Sequence, residues 1–96
     1  MRFTWNPEAL AEYIEAVAYY GERVPGLDGD FCDEIEAGIA TVCDAPDRWH
    51  LIDSRARRYI VKRFPYALIY QIMKDRIRIV AVMHHSREPE YWKHRD

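Results

Sequence analysis

Residues 58–83 read RYIVKRFPYALIYQIMKDRIRIVAVM, and the parsing of this stretch decides the fold. It holds two runs, Ala67 to Met73 and Ile77 to Met83, rich in Ile, Val and Tyr, which suit a pleated, half-buried surface. Lys74-Asp75-Arg76 between them is too short for anything but a hairpin connection. Ahead of them, Tyr59 to Phe64 predicts another strand, closed by Pro65, which a sheet tolerates only at a strand end or a bulge. Strict alternation in the last run puts Ile77, Ile79, Ala81 and Met83 on one face and Arg78, Val80, Val82 and His84 on the other. Both sets are largely apolar, so this strand is expected to be central, with helices covering one side.

The flanks supply those helices. Arg2 to Trp5 alternates as a short strand, and Asn6-Pro7-Glu8 is a helix start: an Asn cap, a Pro at the first helical position, an acid near the positive end of the dipole. Leu10, Tyr13, Ile14, Val17, Tyr20 and Val24 then recur with the helical period, while Glu8, Glu12, Glu15 and Glu22 fall mostly off that stripe as a solvated face. Pro25-Gly26-Leu27-Asp28-Gly29 breaks the helix, and Asp30 is expected to cap a second one with the stripe Phe31, Ile35, Ile39 and Val42, ending by Asp44-Ala45-Pro46. Two amphipathic helices with so short a break fold back on each other. Trp49, Leu51 and Ile52 are expected to anchor the irregular segment that follows, and Pro89-Glu90 opens a last helical turn. The expected fold is α+β: an N-terminal helical hairpin packed on a small curved antiparallel sheet of three to four strands, with a short C-terminal helical turn. Residues 1–96 are expected to form one domain, since a second core could not be built from what the first leaves over.

Net charge is formally −2, but the two halves differ sharply. Residues 1–47 carry two basic and eleven acidic side chains, −9, and residues 48–96 carry twelve basic and five acidic, +7. A basic sheet half beside acidic helices suits a polyanion or an acidic protein partner. No apolar run approaches the roughly 20 residues of a membrane-spanning helix, and residues 1–7 lack the apolar core of a secretion signal, so a cytoplasmic protein that does not engage membranes is expected. Cys32 and Cys43 lie on one helical pattern about 16 Å apart at ~1.5 Å per residue, too far to bridge.

Glycine-rich phosphate loops, paired CxxC, HExxH and a nucleophile elbow are all missing. His84 and His85 are adjacent on a strand and point to opposite faces, so no metal site and no cofactor are expected. What remains is a set of arginines, tyrosines and His84 on and beside the sheet. Cleaving RNA at a 2'-hydroxyl needs a base, an acid and cations for the phosphorane charge, which these side chains can supply. The same side chains also serve as a solvated rim or as the counter-charges of acids on the helices or on a partner.

An ordered series of residues carries a family resemblance: Ala16 with Tyr19-Tyr20, Arg58, Arg63-Phe64-Pro65-Tyr66, Ile69-Tyr70, Ile77, Ile79, Ala81-Val82, then His84, Arg87, Pro89, Tyr91-Trp92 and Arg95. Over nearly its whole length the chain resembles the RelE/ParE superfamily of bacterial toxins, the toxin halves of type II toxin–antitoxin pairs, and is more similar to the ParE-like branch. The resemblance implies a growth-inhibiting protein held inactive by a cognate, ParD-like antitoxin. ParE-like members are associated with poisoning DNA gyrase and have no nuclease reaction of their own. RelE-like members cut messenger RNA in the ribosome. His85, Ser86 and Glu88 stand where glycine and arginines are common in the closest relatives, a tail with fewer cations than an RNA-cutting member carries.

The leading expectation is therefore a toxin acting by protein contact on gyrase, with direct nucleic-acid binding left open. The alternatives are a ribosome-dependent endoribonuclease and an inactive remnant that only binds antitoxin. In a nuclease, Arg58, Arg63 and Arg87 would hold phosphate charge and His84 or Tyr91 would move the proton. An amphipathic antitoxin segment is expected along the helical hairpin and onto the sheet, touching Tyr13, Val17, Tyr20, Phe64 and Tyr66, with acids meeting Arg58 or Arg63.

Overall fold

The computed structural model describes residues 1–95; Asp96, the last residue of the expected domain span, lies outside the described residues. The strands are β1 (Phe3–Trp5), β2 (His50–Leu51), β3 (Ala56–Ile60), β4 (Tyr66–Ile72) and β5 (Ile77–His84), and the helices α1 (Pro7–Arg23) and α2 (Leu27–Asp44). They form one sheet in the order β1-β5-β4-β3-β2 with the helical hairpin on one face. The α+β architecture is the expected one. The sheet has five strands rather than three or four, and it is mixed: β1 runs parallel to β5, while the other pairs are antiparallel.

Local chemistry accounts for the helix starts. The Asn6 Oδ1 accepts hydrogen bonds from the backbone N–H groups of Glu8 (2.8 Å) and Ala9 (3.2 Å), filling two of the donors a helix N-terminus leaves open. The second helix begins at Leu27, three residues before the expected cap, because Gly26 takes a left-handed conformation (φ 87°) that turns the chain directly into α2. Its carbonyl accepts from the Asp30 N–H.

Two corrections concern the stretch quoted at the outset. The strand expected over Tyr59 to Phe64 lies at Ala56–Ile60, and residues 61–65 form the turn into β4. Arg63 sits there with φ 69°, left-handed backbone that no strand contains, and Pro65 follows. The strict alternation expected in β5 is broken by a bulge: Ile69 pairs with Ala81 and Tyr70 with Ile79, leaving Val80 as the extra residue. Ile77, Ile79 and Val82 therefore pack against the helices, while Val80, Ala81 and Met83 pack on the opposite face.

Both faces are covered. Under the helices lie Phe31, Ile35, Ile39, Val42, Tyr59, Leu68, Tyr70, Ile77 and Ile79. Helix α2 crosses the sheet at Gly38, where a β-carbon would fall 2.8 Å from Tyr59 Cε2. On the other face, Trp92 is 3% exposed and rests on Ala56, Ala67, Ile69, Val80 and Ala81. The tail that carries it is a chain of i→i+3 turns (Tyr91 N–H to Glu88 O, Lys93 N–H to Glu90 O, Arg95 N–H to Trp92 O) in place of one helical turn. Of the anchors expected before β3, Trp49 packs edge-on to Tyr59 and Ile52 joins the Trp92 cluster, whereas Leu51 is exposed on an edge strand. No helix is long and apolar enough to cross a membrane among the described residues.

Candidate functional site

Helix α1 has two working faces, and neither is quite the one its apolar stripe predicts. Ala9 and Ala16 are the buried residues, and their small side chains let the helix lie close against β5. Glu12 falls between them at helical spacing, so it is carried toward the sheet and not out into solvent. This corrects its expected place on a solvated face. The signal was in the sequence: Ala9, Glu12 and Ala16 recur at three and four residues, a narrow second stripe of small side chains around one acid.

Beyond Trp5, the β5 edge loses its strand partner, and Glu12 takes over part of that role. Its Oε1 accepts from the Val82 backbone N–H at 3.0 Å. Arg95 Nη1 donates to the same oxygen at 2.9 Å and to the Val80 carbonyl at 3.0 Å, while Nη2 donates to Oε2 at 3.0 Å. The Tyr91 hydroxyl also donates to Oε2, at 2.6 Å. An ion pair thus closes the strand edge, the carboxylate meeting an N–H and the guanidinium a C=O. Side-chain exposure is 6% for Arg95 and 16% for Glu12, so the pair is well shielded. Burial, followed by the Glu12 carboxylate that accepts its proton, pushes the Tyr91 hydroxyl well above the ordinary tyrosine range. Burial works against the Arg95 charge, but the Glu12 hydrogen bonds and charge more than offset it.

Next to this network, a cleft of about 200 Å³ opens between α1 and the end of the sheet, lined by Glu15, Tyr19, Tyr66, His84 and Arg87 as well as Glu12. Two of the five candidate nuclease residues, His84 and Arg87, line it, and a third, Tyr91, lies beside it through Glu12 and Arg87. His84 lies edge-on to Tyr66, and its Nδ1 accepts the Ser86 N–H at 3.0 Å, which leaves the Nε2 to carry the proton of a neutral ring. The Arg87 guanidinium stacks on the Tyr91 ring at 3.9 Å and reaches Glu12 at 4.0 Å. Arg58 and Arg63 are not brought to this cleft. Arg58 pairs in register with Ile69 and is exposed, and Arg63 meets Asp30 (3.4 Å) and Glu34 (3.6 Å) of α2. The cleft therefore holds an imidazole whose Nδ1 is already engaged, a tyrosine that resists ionisation and an arginine shared with a carboxylate. Such a set positions a tail better than it moves protons. Among the described residues, no group of three or more His, Cys, Asp or Glu side chains is placed to hold a metal ion.

The residues expected to touch an antitoxin separate into packed and open groups. Tyr20, Phe31, Phe64 and Tyr66 form a mutual aromatic cluster with ring centroids 5.0–6.3 Å apart, mostly edge to face. Phe64 is buried in it, and burial pushes the Tyr66 hydroxyl up to about 12. Tyr13 stacks on Trp5 at 5.4 Å. The open apolar side chains are others: Leu10, Ile14 (60% exposed) and Tyr19 on α1 and Val24 just past its end, with half-buried Val17 alongside. Ring packing is nonlocal, which is why counting aromatics overstates the surface they leave.

The chain matches, over residues 3–89, the family described as the ParE toxin of the type II toxin–antitoxin system parDE. Among solved structures it is similar to one titled "Chromosomal ParDE TA system from P. aeruginosa", with a TM-score of 0.76 and 14% sequence identity, over 88% of this chain and 95% of that one. No curated protein sequence matches it.

Proposed function

The chain belongs to the ParE toxin family of type II toxin–antitoxin systems, and from that premise we propose that it arrests growth by binding DNA gyrase in the cytoplasm, without a reaction of its own, and is neutralised by a cognate antitoxin. The observation that carries the non-enzymatic half of this reading is the Glu12 network. It takes up Tyr91, Arg95 and part of Arg87, the groups a nuclease would need free on its tail. The gyrase half rests on family membership.

For the antitoxin, the supporting feature is the apolar stripe of exposed Leu10 and Ile14 with half-buried Val17 on α1, continued by exposed Val24 just past the helix end, which an amphipathic segment can cover. Arg58 is exposed and fits an antitoxin acid, whereas Arg63 is already shared between Asp30 and Glu34. Tyr13, Tyr20 and Tyr66 contribute through their half-buried edges, and Phe64 acts by holding them in place.

Purified gyrase tests the target. Excess toxin is expected to block supercoiling or to trap cleaved DNA, and equimolar antitoxin to reverse the effect; normal supercoiling at excess toxin would rule the target out. The placement of His84 and Arg87 on one cleft, with Tyr91 stacked under Arg87 beside it, keeps the ribosome-dependent nuclease as the second reading. Intact transcripts in arrested cells dispose of it, and unimpaired growth on induction without antitoxin leaves only the inactive remnant.

A further inference from the structure

Among the described residues the sheet ends at β1, and no strand pairs with its outer side. Arg2 O accepts from Ile77 N–H, and Asn6 N–H donates to Ile79 O, so the backbone groups of Arg2, Thr4 and Asn6 are turned toward β5. By the alternation of a strand, the N–H and C=O groups of Phe3 and Trp5 are turned away from it. On the helix side of this edge lies an apolar groove of about 540 Å³ whose walls include Trp5, Tyr13, Ile35 and Ile39. Phe3, 40% exposed, forms its lip. Glu36 is the charged side chain among the described residues that line it, and it forms no ion pair among the described residues. The Met1 ammonium at the far end is already turned to the Cys43 carbonyl, at 3.3 Å.

We propose that this edge and groove dock an extended segment of the antitoxin, which adds to β1 as a further strand, places large apolar side chains at alternate positions into the groove and sets a Lys or Arg against Glu36. The proposal rests on the reading of an antitoxin as the partner. Phe3 and Trp5 offer two donors and two acceptors to the incoming backbone. Because side chains alternate across a strand, only every second residue of the segment enters the groove, and its neighbours stay in water. The acid beside an otherwise apolar groove selects a basic segment over an acidic one. A second copy of this chain is the wrong occupant. Pairing β1 with β1 brings three residues from each side, far short of the roughly 20–30 residues a side of a stable interface. A segment tethered to an antitoxin already seated on α1 needs no such area, because the tether raises its local concentration into roughly the millimolar range.

The test uses full-length toxin and the purified product of the adjoining antitoxin reading frame. Phe3→Pro removes an outward-facing N–H from an edge strand, where proline is tolerated. Ala40→Trp fills the groove from an exposed position on its wall, and Glu36→Lys reverses its charge. Each is expected to weaken antitoxin binding at least tenfold with the circular dichroism spectrum unchanged, and hydrogen exchange at Phe3 and Trp5 is expected to slow in the complex. Wild-type affinity in all three variants, with no added protection at Phe3 and Trp5, overturns the docking site and leaves the antitoxin reading standing. An antitoxin that fails to bind wild-type toxin overturns both. A concentration-dependent dimer of the toxin alone that Phe3→Pro abolishes assigns the edge to a second copy and overturns the proposal.

Discussion

Glu12 and Arg95, 83 positions apart in the chain, meet in a two-pronged ion pair of 2.9 and 3.0 Å at the open edge of β5. Removing one partner of a shielded pair leaves the other charge uncompensated, at a cost of about 3–5 kcal/mol when fully buried and toward the lower end here. Glu12→Gln is therefore expected to lower unfolding free energy by about 3 kcal/mol in urea titration. In a double-mutant cycle with Arg95→Gln, a coupling above about 1 kcal/mol is expected. Additive losses would mean that the two residues act independently.

Tyr91→Phe separates structure from chemistry. It deletes the 2.6 Å hydrogen bond to Glu12 and leaves the ring under Arg87. A hydrogen bond to a charged group contributes about 1.5–3 kcal/mol, so the variant is expected to unfold at lower urea concentration. Its growth arrest, at matched protein levels, is expected to be unchanged. A variant that is folded but no longer toxic would point to the hydroxyl as a catalytic group.

Gly38 marks the closest approach of helix to sheet. A methyl group there meets Tyr59 Cε2 at 2.8 Å, and overpacking of this kind costs about 1–3 kcal/mol. Gly38→Ala is expected to destabilise by that amount although alanine favours helix. Calorimetry checks the sign, and a raised Tm would show that α2 can lift away freely.

Alkaline stability follows from the tyrosines. Burial raises Tyr66 and Tyr70 to about 12 and Tyr13 and Tyr91 higher still, from 10 in the unfolded chain. A raised folded value means the unfolded state gives up protons first. The stability these groups contribute is thus complete below pH 10 and is lost as pH climbs from 10 through 12. Denaturant midpoints are expected to fall across that window, with phenolate absorbance rising together with unfolding. A flat midpoint up to pH 12 would contradict the burial of these hydroxyls.

Local chemistry made much of the fold legible in advance. Asn6-Pro7 marked a helix start, Lys74-Asp75-Arg76 a hairpin, and the stripe from Phe31 to Val42 a buried helix face, because each depends on residues near one another in sequence. What was not legible depends on distant partners. The parallel pairing of β1 is set by where α1 leads the chain, the left-handed Arg63 by the turn it sits in, and the role of Glu12 by a tail that begins more than seventy residues later. The candidate site divides the same way. His84, Arg87 and Tyr91 converge as a tail cluster, but Arg58 and Arg63 were associated with them by charge alone, and charge has no address.

The extra residue in β5 bears on which insertions and deletions this chain can absorb. With Val80 removed, Ile77, Ile79 and Val82 would still alternate with Arg78, Ala81 and Met83, so every remaining side chain would keep its face. The strand would lose its local bend and the carbonyl that Arg95 holds. β4 is paired residue for residue with β3 and has no such spare position, so a deletion there would turn half of its side chains inside out. Length variation among related chains is accordingly expected at Val80 and in the turn at residues 73–76, and hardly at all between Tyr66 and Ile72.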